Sequence, residues 1–252
     1  MKAIKSFFAC FSTYSRIPMP SVEFNTEDME YVMVFFPFIG LVIGIIEYAI
    51  FYFCQYLGMP FFFRALIMSV IPLIITGGIH IDGYMDTMDA FSSYGDREKK
   101  LMIMKDPHIG AFAVIHLFVY EMIYLAFIYL LCDKSIIPFC LTFAFSRIMS
   151  GISTVTINGA KKEGMLHAIT KNVQNKTVCI ALIIEYIIVF FLLFRIDMLM
   201  AVIITAICIV GYLLYRRKMI KELDGITGDT SGFYLCLMEI ILLIATSVRG
   251  II

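Results

Sequence analysis

Three aspartates and a histidine follow directly on a strongly apolar run in Gly77-Gly78-Ile79-His80-Ile81-Asp82-Gly83-Tyr84-Met85-Asp86-Thr87-Met88-Asp89. If this segment is helical, Asp82, Asp86 and Asp89 fall at i, i+4 and i+7, project from one face and repel one another. That face calls for a positive partner. Carboxylate oxygens are hard ligands, and Mg²⁺ held by a few carboxylates together with substrate phosphates is the commonest arrangement that answers the description. The plainer reading of the same spacing is an acidic, solvated helix start just outside a membrane.

Three more stretches carry polar chemistry. In Leu101-Met102-Ile103-Met104-Lys105-Asp106-Pro107-His108-Ile109-Gly110, Pro107 disfavours helix at Asp106. Lys105 and Asp106 are therefore expected at a break, where Lys105 could neutralise phosphate charge and Asp106 could join a metal, although charged residues beside a membrane are routine. Asp224-Gly225-Ile226-Thr227-Gly228-Asp229-Thr230-Ser231-Gly232 joins flexible backbone to a carboxylate ahead of an apolar run. Glycines there permit close approach to an anion, and the following helix start presents free N–H groups; a Thr-Gly-Asp-Thr N-cap is the structural alternative. It is not a phosphate-binding P-loop, because no Gly-Lys-Ser/Thr follows. Arg16-Ile17-Pro18-Met19-Pro20 places an arginine on a proline-stiffened segment, suited either to bidentate grip of a phosphate or to anchoring at the membrane surface.

The elements that must position these residues lie in a membrane. Hydrophobic residues make up 61% of the chain and the mean hydropathy is +0.90, far above the soluble range. A helix needs about 20 apolar residues to cross the hydrocarbon, and such runs fall near 31–57, 61–79, 109–132, 135–157, 177–196, 197–215 and 231–249. The expectation is an all-α polytopic bundle of about seven transmembrane helices in one domain, residues 1–252, with residues 2–14 as an interfacial helix rather than a signal peptide. The fifth and sixth runs are separated only by Arg195-Ile196-Asp197, either a tight turn or a break in one long helix.

Basic residues orient the chain. On one side stand Lys2, Lys5, Arg16, Arg97, Lys99, Lys100, Lys105, Lys161, Lys162, Lys171, Lys176, Arg216, Arg217, Lys218 and Lys221, fifteen against Arg64, Lys134, Arg195 and Arg249 on the other. This bias places the N-terminus and the aspartate cluster in the cytoplasm and the C-terminus outside. Twenty basic residues matched by twenty acidic ones give no long-range pull on nucleic acid; the basic loops suit anionic lipid heads or phosphorylated substrates. Seven scattered cysteines without CxxC spacing read as small buried hydrophobes. Within the spans Glu47, Glu121, Arg147, Glu185 and Glu239 are costly in lipid and should face the interior or water, with Arg147 the one expected to reach the catalytic cavity. His116 is read as a packing residue, and His167 alone says nothing.

With these motifs in order, the chain resembles the cobalamin synthase family, the adenosylcobinamide-GDP ribazoletransferases, over nearly its full length. The resemblance rests on Arg16-Ile17-Pro18, on Phe36-Pro37-Phe38-Ile39-Gly40 read as a turn into the first crossing, on the Gly77 to Asp89 cluster, on Met104-Lys105-Asp106 with Ile109-Gly110, and on Gly225-Ile226-Thr227-Gly228-Asp229. It departs at Ala90, where glycine is frequent, at His108, where arginine is common, at Asp224, where a glycine usually precedes Thr-Gly-Asp, and at Ala113, where glycine is usual. CDP-alcohol phosphotransferases, which act on lipid alcohols, use a differently spaced aspartate pattern, and their two glycine elements containing Ala-Arg are missing.

The resemblance implies a Mg²⁺-dependent enzyme of the cytoplasmic membrane. A ribose hydroxyl of α-ribazole or its 5'-phosphate attacks the cobinamide-side phosphorus of adenosylcobinamide-GDP, and GMP leaves. It further implies Asp82, Asp86, Asp89 and Asp106 as metal ligands, and His80 or one aspartate as acceptor of the hydroxyl proton. Lys105, Arg16, Arg147, Gly225, Thr227, Gly228 and Asp229 would bind the substrate. A homo-oligomer or a complex with other cobalamin-assembly enzymes is compatible with it. Intramembrane Glu47, Glu121 and Glu185 would suit a transporter, but the acidic residues concentrate at one membrane face and not near the midplane.

Overall fold

Each apolar run becomes a helix because lipid offers no partner for backbone N–H and C=O groups, so these must be satisfied within the segment. The computed structural model describes residues 2–20, 22–160 and 175–251. His167, Lys161, Lys162 and Lys171 lie outside them. Among the described residues the order is α1 (Lys2–Tyr14), a short 3₁₀ turn (Thr26–Met29), α2 (Val32–Tyr56), α3 (Phe61–Thr76), α4 (Ile79–Ser92), α5 (Arg97–Ile103), α6 (Ala111–Tyr129), α7 (Ile136–Thr156), α8 (Asn175–Ile196), α9 (Met198–Leu223) and α10 (Gly228–Ile251). Six helices are long and apolar enough to cross a membrane, and a seventh crossing is formed if α3 and α4, bent by 93° at their junction, count as one span.

The central element is α7, whose apolar window is almost wholly buried, whereas α6, α8 and α9 leave most of theirs on the outside. Apolar exposure of that extent suits lipid. Helices in lipid are held by close packing more than by water exclusion, and the Gly40-x-x-x-Gly44 spacing of α2 supplies it: a Cβ at Gly40 would run into the Phe143 carbonyl of α7, and one at Gly44 into that of Cys140. Gly40→Val is therefore expected to lower the unfolding temperature in detergent, because overpacking of this kind costs about 1–3 kcal/mol; an unchanged melting curve would contradict the close contact.

Several local expectations change. Phe36 to Gly40 is not a turn: it lies inside α2, where Pro37 merely withholds one helical hydrogen bond. Arg195-Ile196-Asp197 is a tight turn, in which the Asp197 side chain accepts the Met200 N–H at 3.0 Å to cap α9 and pairs with Arg249 at 3.1 Å. That helix continues past its apolar stretch to Leu223, through Arg216, Arg217 and Lys218. The N-terminal helix α1 packs on α2, burying Ala9, Cys10 and Phe11. Five of the seven cysteines are buried, and all are free thiols.

Candidate active site

The apolar run of α3 stops at a glycine pair. Gly77 and Gly78 both take left-handed backbone, φ +65° and +79°, a conformation that L side chains adopt only at a cost. Their N–H groups close the last turn of α3 on the Ile74 and Leu73 carbonyls, and the chain leaves in a new direction as α4. Arg16 lies across this turn, so that a Cβ at Gly77 would strike its side chain, and its own N–H donates to the Ile75 carbonyl at 2.7 Å. The exit of α1 is thereby pinned to the end of α3. Between them opens a hollow of about 500 Å³, lined by Ser12, Thr13, Ser15 and Arg16 on one side and by Gly77, Gly78, Asp82 and Met85 on the other. Arg16 and Asp82, distant in sequence, share its wall.

Helix α4 packs chiefly on α10 and α6. A methyl group at Gly83 would stand 2.8 Å from the Asp229 carbonyl oxygen, and one at Gly232 would stand 2.9 Å from that of His80. The two backbones thus meet at Gly83 and Gly232, flanked by the stacked rings of Tyr84 and Phe233, 5.8 Å apart. This contact brings Asp229 to the aspartate helix. Asp82 is exposed, Asp86 and Asp89 half-buried. The carboxylates of Asp82 and Asp89 have no hydrogen bond or ion pair among the described residues.

The segment after α5 closes over the last of the three. Gly110 sits so near the Asp89 carboxylate that a Cβ there would occupy its position. Gly110→Ala is therefore expected to rotate Asp89 out of place and lower turnover about 100-fold, misplacement of a reacting group by about 1 Å costing that much; wild-type turnover in the variant would show that Asp89 need not stand there. As the proline predicts, Lys105 and Asp106 lie at a break between α5 and α6, both exposed. Asp106 is already engaged, accepting the His108 N–H at 3.0 Å and meeting its Nδ1 at 2.6 Å. Those bonds, the backbone one foremost, hold its carboxyl below the usual carboxylate range.

The Asp224 to Gly232 stretch divides its labour. Gly225, at φ +149°, lets the loop lie against the Asn158 carbonyl, beside an isolated bridge between Gly159 and Ile226. Thr227 is buried, and its Oγ1 accepts the Thr230 N–H at 3.2 Å while Thr230 Oγ1 accepts the Thr227 N–H at 2.8 Å. This is the N-cap alternative realised. Gly228 faces open space, and Asp229, half-buried in the first turn of α10, accepts from Thr227 Oγ1 at 3.4 Å. Arg97 ties this end together, donating to the Leu223 and Ala160 carbonyls at 2.8 and 3.1 Å, while Lys100 pairs with Glu222.

Two expected site residues stand elsewhere. His80 is buried between the rings of Tyr14 and Phe36, and Arg147 is wholly buried, with its Nη1 2.7 Å from Glu239 Oε1. Both line a small, partly open cavity within the bundle and not the hollow at the bend. Glu47 and Glu239 are buried, as their place in a span requires, but Glu121 and Glu185 are only half-buried.

The donor set suits Mg²⁺, a cation held through one or two carboxylates and completed by water and substrate phosphate rather than by an all-protein cage. Among the described residues no three or more His, Cys, Asp or Glu side chains are grouped so that they could hold a metal ion, so a cation here would draw on one or two carboxylates at most. Sequence reasoning did not find the Gly83–Gly232 contact, the Gly110 lid on Asp89 or the hydroxyls of Ser12, Thr13 and Ser15. The Gly228-x-x-x-Gly232 spacing is no signal for the first, because only Gly232 meets α4 while the space around Gly228 is open.

Comparison with known proteins supplies the family. The model of the Cobalamin-5-phosphate synthase family matches residues 6–247. The chain is 34% identical over 240 residues to an adenosylcobinamide-GDP ribazoletransferase of Lachnoclostridium phytofermentans, covering 95% of this chain and 92% of that one. It is 32% identical to the enzyme of the same name from Clostridium perfringens strain SM101, over 93% and 94% of the two chains, and 29% identical to that of Clostridioides difficile, over 96% of each. No solved structure matches.

Proposed function

Because the chain belongs to the Cobalamin-5-phosphate synthase family, we propose that the hollow at the α3–α4 bend is the site where it joins α-ribazole, or its 5'-phosphate, to the cobinamide phosphate of adenosylcobinamide-GDP. The acceptor's ribose hydroxyl attacks the cobinamide-side phosphorus, the anhydride bond breaks, and GMP carries off the bridging oxygen. The observation that carries the placement is the shared wall of Arg16 and Asp82, which sets a guanidinium for phosphate beside a carboxylate with no competing partner among the described residues. Phosphoryl transfer asks a protein for positioning and charge neutralisation more than for covalent help.

One or two of Asp82, Asp86 and Asp89 would hold Mg²⁺ together with water and substrate phosphate, and Asp106 would contribute on giving up His108. When bound, the ion neutralises the diphosphate and makes its phosphorus easier to attack. Arg16 grips a phosphate oxygen pair in bidentate fashion. Lys105, exposed beside the lid, offsets the negative charge of the departing GMP, and Asp229 with Gly228 borders the site from α10. His80 is buried and does not line the hollow, so the hydroxyl proton passes to an aspartate of α4. The basic residues clustered around this end, Arg97, Lys100, Arg216 and Lys218 among them, support a cytoplasmic placement of the site in the cytoplasmic membrane.

The test is GMP release by the purified protein in lipid nanodiscs, given adenosylcobinamide-GDP and α-ribazole, with Mg²⁺ and again with chelator. Release only with the corrinoid donor and only with Mg²⁺ is expected. Incorporation of a diacylglycerol-type alcohol, with none of α-ribazole, would replace this reading with a lipid phosphotransferase.

A further inference from the structure

We propose that Arg147 is a positioning residue for the aspartate-bearing helix: buried beside Glu239, it holds His80, and with it the start of α4, through one water in the cavity that both residues line. The cavity lies inside the bundle and has a volume of about 20 Å³. A space of at least about 10–15 Å³ with two to four polar partners is what a single water requires.

The partners are present. Arg147 is 0% exposed; its Nη1 is used by Phe143 O and Glu239, but Nε and Nη2 have no hydrogen-bond partner among the described residues. His80 Nε2 and the Tyr124 hydroxyl are likewise buried and unpartnered, and all three side chains line the same cavity. Buried donors left unpaired are expensive, those of a guanidinium most of all. One water accepts from Arg147, donates to the lone pair of His80 Nε2 and exchanges a bond with Tyr124, and so satisfies the three together.

A second observation says why the helix needs such a hold. Its N-cap is Gly78, in left-handed conformation, with no side-chain capping bond. Its first turn is closed by the backbone bond from the Asp82 N–H to the Gly78 carbonyl at 2.9 Å, without a side-chain cap to hold its entry. The His80 ring is stacked on Tyr14 and meets Phe36 in a T-shaped contact, and Arg147 lies over the same Phe36, its Cζ 5.7 Å from the ring centre. The polar edge of His80 is the remaining degree of freedom. Asp82 follows two residues later, so a rotation of that turn moves the carboxylate.

The structural coupling stands without the transferase reading; its effect on turnover rests on that reading. The test is a double-variant cycle on the full chain in nanodiscs, with Arg147→Lys, His80→Asn and the pair. Hydrogen exchange of residues 79–92 and kcat with KM for the corrinoid donor are read together. Arg147→Lys is expected to quicken exchange in α4 about tenfold and to lower kcat about tenfold with KM little changed, and the double variant should be no worse than His80→Asn alone. Unchanged exchange in α4, or losses that multiply in the double variant, would overturn the proposal and leave Arg147 as a general brace of α7 and α10. Should Arg147→Lys not fold, the cycle of Tyr124→Phe with His80→Asn decides in the same way: shared losses support the water, multiplied losses overturn it. Wild-type protein that releases no GMP would sink the transferase reading, while the exchange measurement still decides this one.

Discussion

Asp82→Ala is expected to lower kcat for GMP release by about a thousandfold while leaving the unfolding temperature where it is, since loss of a preorganised charge partner at a phosphoryl site removes several kcal/mol of transition-state stabilisation. The separation of the two effects follows from the surroundings of the side chain. Asp82 is exposed, lines the open hollow and has no hydrogen bond or ion pair among the described residues, so the fold loses no contact when it goes. Exposed substitutions away from such contacts change stability by about 0.5 kcal/mol or less. Removing one of three like charges from a single helix face relieves repulsion of about 0.2–0.5 kcal/mol and pushes slightly the other way. Asp82→Asn distinguishes charge from shape: it keeps the outline and should be nearly as inactive. Arg16→Ala, across the hollow, should act mainly on KM, its grip being made in ground and transition states alike. An Asp82→Ala protein that turns over within tenfold of wild type would remove the hollow from the reaction.

What could be read beforehand depended on whether the cause lay in composition or in contact. Long apolar runs set the crossings, because any segment in lipid must satisfy its own backbone; α2, α3, α6 and α7 accordingly lie within the expected stretches, and α10 overruns its stretch at both ends. The i, i+4, i+7 spacing placed Asp82, Asp86 and Asp89 on one face, and the segment is indeed helical. The break before Pro107 was legible for the same local reason. Directions of approach were not. Gly77 and Gly78 could have ended a span and let the chain run on; the 93° bend sits at this left-handed pair, beside the bond from the Arg16 N–H to the Ile75 carbonyl. Thr227 offered a hydroxyl either to substrate or to its own helix, and only the reciprocal bond with Thr230 settles the choice. Arg147 carried the right charge for a phosphate, but the Glu239 that claims it lies far along the chain. Such choices are made by partners that no local pattern names.

Gly83→Ala should disable the enzyme from a position that touches no substrate. The added methyl would lie 2.8 Å from the Asp229 carbonyl oxygen and 2.9 Å from its Cα, and both are backbone atoms that cannot swing aside as a side chain would. Either α4 or the head of α10 must therefore move by a substantial part of an ångström. On α4 the neighbour is Asp82; on α10 it is Asp229 itself, so the displacement falls between the groups whose separation matters most. A shift of about 1 Å in a reacting group costs about 100-fold in rate, against about 1–3 kcal/mol of stability for overpacking. The expected result is a folded protein, melting a few degrees lower, whose kcat has fallen about 100-fold. Gly232→Ala, pressing on the His80 carbonyl from the other helix at 2.9 Å, should behave alike. Gly228→Ala is the control: the space around Gly228 is open, and the same chemical change there should leave the melting temperature unchanged or slightly raised, because alanine restricts the unfolded chain. If Gly83→Ala turned over at the wild-type rate, the close crossing of α4 and α10 would not be what sets the aspartates, and the catalytic geometry would have to arise from the lid at Gly110 and the bend at Gly77 alone.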